Sequence, residues 1–472
     1  MKMSKSNNLS SRVLKAMSVF GGVQVITILC SIVRTKLVAL WLGSVGVGLF
    51  GLYNSVIEML GSITQLGLRN SAVRDIASAS ESRIERIIVV VKRWAWALGL
   101  FGSLVMLSLA SMLSRVTFGD ESHTIAFVVL SIVLLLTSLT SGELAVLQGL
   151  NRLRQLAKAS IWGVVAGLAV SVPMYYYWRM DSIIPAIIAY AMTTAIAAKV
   201  YGVKSTKLSI KVTLVETFQE GKGFIALGIY MTLSSFVALL MSYIFMAYLN
   251  NQGDASVVGH YQAGFTIVNR YAGLIFTAIA MEYFPRLTRV KDSAMRTVAF
   301  VSHEMKIALL VLMPVIAFFV AADQLIVRVL YSDEFLVIVP FITWAMVGTV
   351  FRAVSWCMAF VILARGNGKI FLITESLSAT ISLGLNIVAF NLWGYVGLGF
   401  AYIAWYFIYT IIVAVVYRRV YGLWLGKGML WLISLAVIVG VASVMTSTMI
   451  GWWVPVVIGI LFLGVAFRRL KS

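Results

Sequence analysis

The sequence predicts an all-α polytopic membrane protein with about fourteen transmembrane helices: two six-helix lobes related by an internal repeat, plus two extra C-terminal helices. Composition is the first observation behind this. Of 472 residues, 61% are hydrophobic and only 12% charged, with a mean hydropathy of +0.95. Soluble domains carry about 45–50% apolar and about 25% charged residues, so a soluble chain with this little charge could not cover its surface. Single cores also stop growing near ~250–300 residues. The second observation is that the apolar residues lie in unbroken runs such as Ile125–Thr137, Met429–Val444 and Val454–Phe467. With their weakly polar flanks these reach about 20 residues, enough for a hydrocarbon core of ~30 Å. Barrel strands would alternate with period 2. The third observation is the alternation of basic loops described next.

Met1–Lys15 is polar and basic and leads directly into an apolar run without a small-residue cleavage site, which reads as an uncleaved start-transfer helix. The expected spans are 17–42, 46–68, 92–114, 124–148, 159–178, 182–201, 223–249, 257–284, 305–330, 336–363, 370–392, 395–417, 429–448 and 451–467. No connection is long enough for a large extramembrane domain. Alternate connections carry the cations: the N-terminus, then loops around Arg69–Arg93, Arg152–Lys158, Lys199–Lys222, Arg286–Lys306, Arg365–Lys369, Arg418–Lys427 and Arg468–Lys471. Together they hold 31 Lys and Arg, whereas the opposite side has Arg115, Arg179 and Arg328. By the positive-inside rule both termini are expected to be cytoplasmic. The net charge of +20 is thus topological and does not point to nucleic acid. Trp178, Trp393, Trp452 and Trp453 fall at outer ends, and Tyr417, Tyr421 and Trp424 at an inner end, as interfacial aromatics do. Cys30 and Cys357 lie inside apolar runs as packing residues, and His123, His260 and His303 are too scattered for a metal site.

The repeat shows in three matches. A shift of 215 aligns Trp178–Tyr190 with Trp393–Trp405 without a gap. A shift of 217 pairs Gly149 and Arg152 with Gly366 and Lys369, and a shift of 211 pairs Gly48-Leu-Phe50 with Gly259-His-Tyr261. The expected organisation is an N-lobe at 1–205, a cytoplasmic linker at 206–222, a C-lobe at 223–420 and extra helices at 421–472. Parallel repeats of this kind are known in transporters that rock around a site between lobes.

An ionisable group near the bilayer centre costs at least ~2.5–3.5 kcal/mol on insertion scales and usually faces a cavity or a partner. Arg34, Arg270 and Arg352 are the deep cations. Arginine's planar fork matches phosphate, so they are the candidate substrate-binding residues, against the alternative of structural ion pairs such as Arg34 with Glu58. Glu58, Glu143 and Glu375 are candidates for ion coupling or ion pairing, while Lys36 is shallow enough to snorkel. Asn54, Gln65, Gln148, Asn269 and Asn386 could bind sugar hydroxyls, with interhelical hydrogen bonding as their default role.

Several segments carry a resemblance. Arg34-x-Lys-Leu-Val-Ala-Leu-Trp-Leu-Gly43 ends the first helix, followed by Gly46-x-Gly-Leu-Phe50, and Gly67-Leu-Arg-Asn-Ser-Ala-Val-Arg-Asp-Ile-Ala77 closes the second span. Val258-Gly-x-Tyr261 opens the eighth. Over roughly residues 12–420 the chain resembles the polysaccharide-transporter branch of the multidrug/oligosaccharidyl-lipid/polysaccharide (MOP) exporter superfamily, the Wzx-type O-antigen and capsule repeat-unit flippases. The resemblance implies a V-shaped pair of six-helix lobes in a bacterial inner membrane. It implies export of an undecaprenyl-diphosphate-linked oligosaccharide to the periplasmic leaflet, with basic residues on helices one and eight, here Arg34 and Arg270, lining the path. Twelve spans are common in that branch and fourteen in the lipid II flippases. The expected partners are the lipid-linked oligosaccharide, the bilayer, and the polymerase and glycosyltransferases of the same pathway. No cofactor is expected beyond a coupling proton or sodium ion, and no G-x-x-x-x-G-K motif for ATP occurs. The competing readings are a cation-coupled multidrug exporter of the same fold and a membrane-embedded polysaccharide polymerase or ligase. The exporter lacks its usual carboxylate in helix one here, and the enzymes need a sizeable outer loop.

Overall fold

The computed structural model describes residues 2–203, 213–271 and 286–471, with 273, 276 and 283 between them. The side chains of 2–21, 70, 81, 82, 203, 214, 215, 218–228, 270, 271, 470 and 471 lie outside the described set. Among the described residues helix predominates and there is no strand. Backbone groups in a bilayer must be satisfied internally, which an unclosed chain achieves only as helices.

The chain divides into two compact units, Met1–Ser256 and Val257–Ser472. The first contains α1 (Lys2–Thr64), α2 (Leu68–Ser78), α3 (Glu81–Phe118), α4 (Thr124–Gly149), α5 (Leu153–Trp178), α6 (Ile183–Val203) and α7 (Leu214–Gln252). The second contains most of α8 (Ala255–Thr266), a π-helical turn (Ile267–Tyr271), α9 (Ala294–Ala321), α10 (Asp323–Leu330), α11 (Val339–Ala364), α12 (Gly368–Arg419), α13 (Lys427–Met449) and α14 (Trp453–Lys471). Among the described residues nine helices are long and apolar enough to cross a membrane. Three of these stretches, of 43, 50 and 52 residues, are each long enough for two crossings, since ~20 residues suffice for one. Each carries a break, at Gly43 (φ 67°, ψ −165°), Arg179 (φ 49°, ψ −125°) or Gly394 (φ 58°, ψ −136°). At Gly43 and Gly394 the missing Cβ is what permits the conformation.

Lipid tails are as apolar as leucine, so small residues and hydroxyls rather than bulk hydrophobicity bring membrane helices together. In the first unit α3 meets α4 this way: Ser138 Oγ donates to Ala95 O and Ser103 Oγ to Ser131 O, both at 2.8 Å. A buried cluster from α2, α3 and α4, including Ile76, Ile88, Val91 and Val146, lies beside them. In the second unit α11 packs on α12, and α9 on α13 and α14. Their core includes Met305, Leu309, Val350, Val354, Ile362 and Val413, none more than 1% exposed. The aromatic residues Trp178, Trp393, Trp452 and Trp453 all lie on the surface, 54% or more exposed.

The backbone sharpens the repeat. Helices α4 and α11 correspond end to end at a constant shift of 215, and so do α5 and the first half of α12. The connecting turns make the same hydrogen bonds: Leu150, Asn151 and Arg152 donate to Val146, Gln148 and Leu147, and Arg365, Gly366 and Asn367 to Val361, Leu363 and Ile362. Asn151 (φ 55°) therefore occupies the left-handed position of Gly366 (φ 76°). The shift of 217 that aligned the two glycines on sequence is corrected to 215, because position in the turn decides equivalence. The shift of 211 is corrected likewise. Phe50 and Asn54 match Phe265 and Asn269, and in both pairs the Asn side chain donates to the Phe carbonyl, at 2.7 and 3.2 Å.

Candidate functional site

Arg34 lies on α1 nine residues before the break at Gly43, about 14 Å along the axis at 1.5 Å per residue. Its guanidinium carbon sits 5.0 Å from the centre of the Phe50 ring and 4.7 Å from that of Tyr190. The break lets the second half of α1 present Phe50 to the first half, while Tyr190 arrives from α6. The described contacts of Arg34 are thus rings, not the Glu58 carboxylate, and its Nε has no hydrogen-bond partner. Ring faces hold a cation by their quadrupole, at about 0.5–2 kcal/mol, without neutralising it. Glu58 itself is exposed, and Lys36 is half-buried.

Two glycines on α5 set the position of Tyr190. A Cβ at Gly167 would lie 2.5 Å from Tyr190 Cδ2, and one at Gly163 would lie 3.0 Å from Thr194 Cα. This is the small-xxx-small spacing that lets membrane helices approach closely. Gly163-Val-Val-Ala-Gly167 was available as a signal in the sequence, and reading charges alone passes over it.

In the second unit Arg352, midway along α11, donates from Nη1 to Asn269 Oδ1 at 2.9 Å and to the Tyr402 hydroxyl at 3.2 Å. Tyr402 in turn donates to Asn269 Oδ1 at 3.3 Å. The Phe276 and Tyr406 rings flank the guanidinium at 5.2 and 5.8 Å. Gly348 lies one turn before Arg352, and a Cβ there would fall 2.7 Å from Tyr402 Cδ1. Both arginines are therefore flanked by rings, Arg352 also by neutral oxygens, with a glycine admitting the tyrosine. Asn269 belongs to the π-helical turn Ile267–Tyr271, an irregularity frequent at functional sites. Arg270 is the next residue on that turn, and its side chain lies outside the described set.

Glu143 and Glu375 have local partners. Glu143 Oε1 pairs with Lys92 Nζ at 2.9 Å, with the two side chains 16% and 21% exposed. Glu375 accepts from the Tyr409 hydroxyl. Glu58 and Glu143 belong to the first unit and Glu375 to the second. Among the described residues no three metal-ligating side chains converge.

Comparison with known proteins identifies the setting. A family profile described as polysaccharide biosynthesis protein matches residues 37–340. A Shigella flexneri chain named as an O-antigen transporter is 23% identical over 337 residues, 68% of this chain and 78% of that one. The lipid III flippase of Escherichia coli (strain K12) is 21% identical over 391 residues, covering 79% and 90%. Among solved structures, the lipid II flippase MurJ in an inward closed conformation superimposes with a TM-score of 0.70 at 13% identity, covering 97% of this chain and all of that one. An inward-facing multidrug resistance MATE transporter of the MOP superfamily gives 0.68 at 15% identity, covering 88% and 95%.

Proposed function

The chain belongs to the polysaccharide biosynthesis protein family, and from that premise we propose that it carries an undecaprenyl-diphosphate-linked oligosaccharide repeat unit from the cytoplasmic to the periplasmic leaflet of a bacterial inner membrane by alternating access. A multi-pass transporter of lipid-linked polysaccharide in the MOP superfamily is the coarser statement, and it stands on the relatives and the fold. The observation that carries the finer reading is the state of Arg34 and Arg352. Each guanidinium is held by aromatic rings, and Arg352 also by neutral oxygens. A cation whose described partners include no carboxylate retains its charge for an incoming anion, and the planar fork suits a diphosphate. Arg270 is the third member of this basic set.

Both termini are cytoplasmic in this reading, and the diphosphate enters from the inner leaflet while its tail stays in lipid. An inside-negative potential contributes ~2.3 kcal/mol per charge per 100 mV to anion export, so a doubly charged head needs no chemical fuel. Proton or sodium coupling through Glu58, Glu143 or Glu375 is the alternative energy source. The polymerase and glycosyltransferases of the pathway are the expected partners. The MATE likeness supports a second reading, a cation-coupled multidrug exporter; deep arginines are the wrong sign for cationic drugs.

Depletion of the gene, followed by mass spectrometry of lipid-linked oligosaccharides, tests this. Completed units should accumulate on the cytoplasmic leaflet and be cleared by the wild-type gene but not by Arg34→Ala, Arg270→Ala or Arg352→Ala. Drug sensitivity without accumulation would establish the exporter reading instead.

A further inference from the structure

A cavity of about 280 Å³ lies inside the first unit, between α1, α2, α4, α5 and α6. Its polar lining is Gln24, Thr27, Arg69, Thr140, Ser160 and Thr194. Thr27, Thr140 and Thr194 each spend their single proton on a backbone carbonyl of their own helix, at 2.8–3.1 Å. Their oxygens remain acceptors. Arg69 is exposed at one edge. The lining thus sets several hydroxyl acceptors, one amide and one cation among apolar residues such as Val23, Leu144, Leu156 and Val164, whose side chains suit the apolar faces of a sugar ring.

Two helices connect this cavity to Arg34. On α1, Gln24, Thr27, Ser31 and Arg34 follow spacings of three, four and three residues, which places them on one helical face. Gln24 and Arg34 are about 15 Å apart at 1.5 Å per residue. On α6, Tyr190 and Thr194 are one turn apart; the first touches Arg34 and the second lines the cavity. Gly163 and Gly167 hold α5 against both residues. The same helix faces therefore line the cavity at one level and hold the deep arginine at the next.

We propose that this cavity is a loading site for a phosphorylated sugar, the leading ring of the substrate, which Arg69 admits and the hydroxyl oxygens hold before the phosphate passes to Arg34. The proposal rests on the function argued above and adds a site and a step to it. Sugar hydroxyls donate to the threonine oxygens and to Gln24, while the phosphate answers the guanidinium at the entrance. A drug cation would meet the wrong charge at Arg69, and a lipid tail would leave the hydroxyl acceptors and Gln24 unanswered.

The test uses full-length protein in membranes, with Cys30→Ser and Cys357→Ser removing the native thiols and Thr194→Cys as reporter. Thr27→Cys serves as a second reporter should the first misfold. N-acetylglucosamine 1-phosphate should slow labelling by a membrane-impermeant maleimide at least threefold. Arg69→Gln should abolish that protection, and Arg34→Gln, one level away, should leave it. In cells, Thr27→Val/Thr194→Val keeps side-chain volume and should raise the substrate level for half-maximal export about fivefold at unchanged maximal rate; a merely structural role would lower protein level instead. Labelling indifferent to the probe, or protection that survives Arg69→Gln, overturns the loading site. Protection without any lipid-linked unit accumulating on depletion would keep the sugar-phosphate site and remove the proposed substrate, so the two failures are distinct.

Discussion

Arg352 depends on what does not carry charge beside it. Asn269 Oδ1 accepts from Arg352 at 2.9 Å and from Tyr402 at 3.3 Å. Asn269→Asp would put a full carboxylate at hydrogen-bond distance and convert an available cation into an ion pair. Export should fall at least tenfold with normal protein level, whereas Asn269→Ser should be mild; equal export by Asp and wild type would make the charge of Arg352 irrelevant. Gly167 acts through shape. Gly167→Ala brings Cβ within 2.5 Å of Tyr190 Cδ2 and 2.9 Å of Thr193 Oγ1, so the ring must leave its place over Arg34. Overpacking of this kind costs about 1–3 kcal/mol, visible as a lower melting temperature in detergent. Gly167→Ala/Tyr190→Ala should recover most of that stability without recovering export.

Among the elements, α7 begins with a capping box: Glu216 N–H is accepted by Thr213 Oγ1 at 3.3 Å and Thr213 N–H by Glu216 Oε2 at 2.8 Å. Arg86 of α3 adds an ion pair to Glu216 at 3.0 Å, and Trp94 Nε1 donates to Thr217 O at 2.9 Å. The Thr213 hydrogen bonds first, and Arg86 second, hold the Glu216 carboxyl below the usual carboxylate range. A depressed folded value means that the contribution is present at neutral pH and is lost as pH falls through that value. The melting temperature of the wild type should therefore fall on acidification below about pH 4.5 by more than that of Glu216→Gln. The variant should begin lower at pH 7, and parallel curves would exclude the linkage. Such elements were only partly legible in sequence. The long apolar runs gave the helices because a bilayer admits little else. Arg34 and Arg352 stood out by depth, but their partners did not: Tyr190 is 156 residues from Arg34, and Tyr402 follows Arg352 by 50. Only packing joins such pairs, and packing leaves no local periodicity beyond the small-residue spacing at Gly163 and Gly167.

Across the molecule, the constant shift of 215 shows what the duplication kept. It kept the turn after α4, the α5 frame and the Phe-x-x-x-Asn pair, with a basic residue at both Arg154 and Lys369, but not the deep charges. Leu249 stands where Arg34 would recur, Thr137 where Arg352 would, Met358 at Glu143 and Ser160 at Glu375. The repeated part is therefore scaffold, and each unit has added its own ionisable groups to it. This separation can be tested in the turns themselves, which carry no deep charge. Asn151 and Gly366 adopt φ of 55° and 76° in turns with matching hydrogen bonds. Asn and Gly are the residues that visit this region routinely, and other side chains pay roughly 1–2 kcal/mol there. Asn151→Gly and Gly366→Asn should each leave export and melting temperature nearly unchanged. Asn151→Ala and Gly366→Ala should each destabilise by about 1 kcal/mol, and similarly, because the backbone frame is the same. A large asymmetry between the two alanine variants, measured as melting temperatures in one detergent, would mean that the turns share their geometry but not their energetics, and the scaffold would no longer count as one duplicated unit.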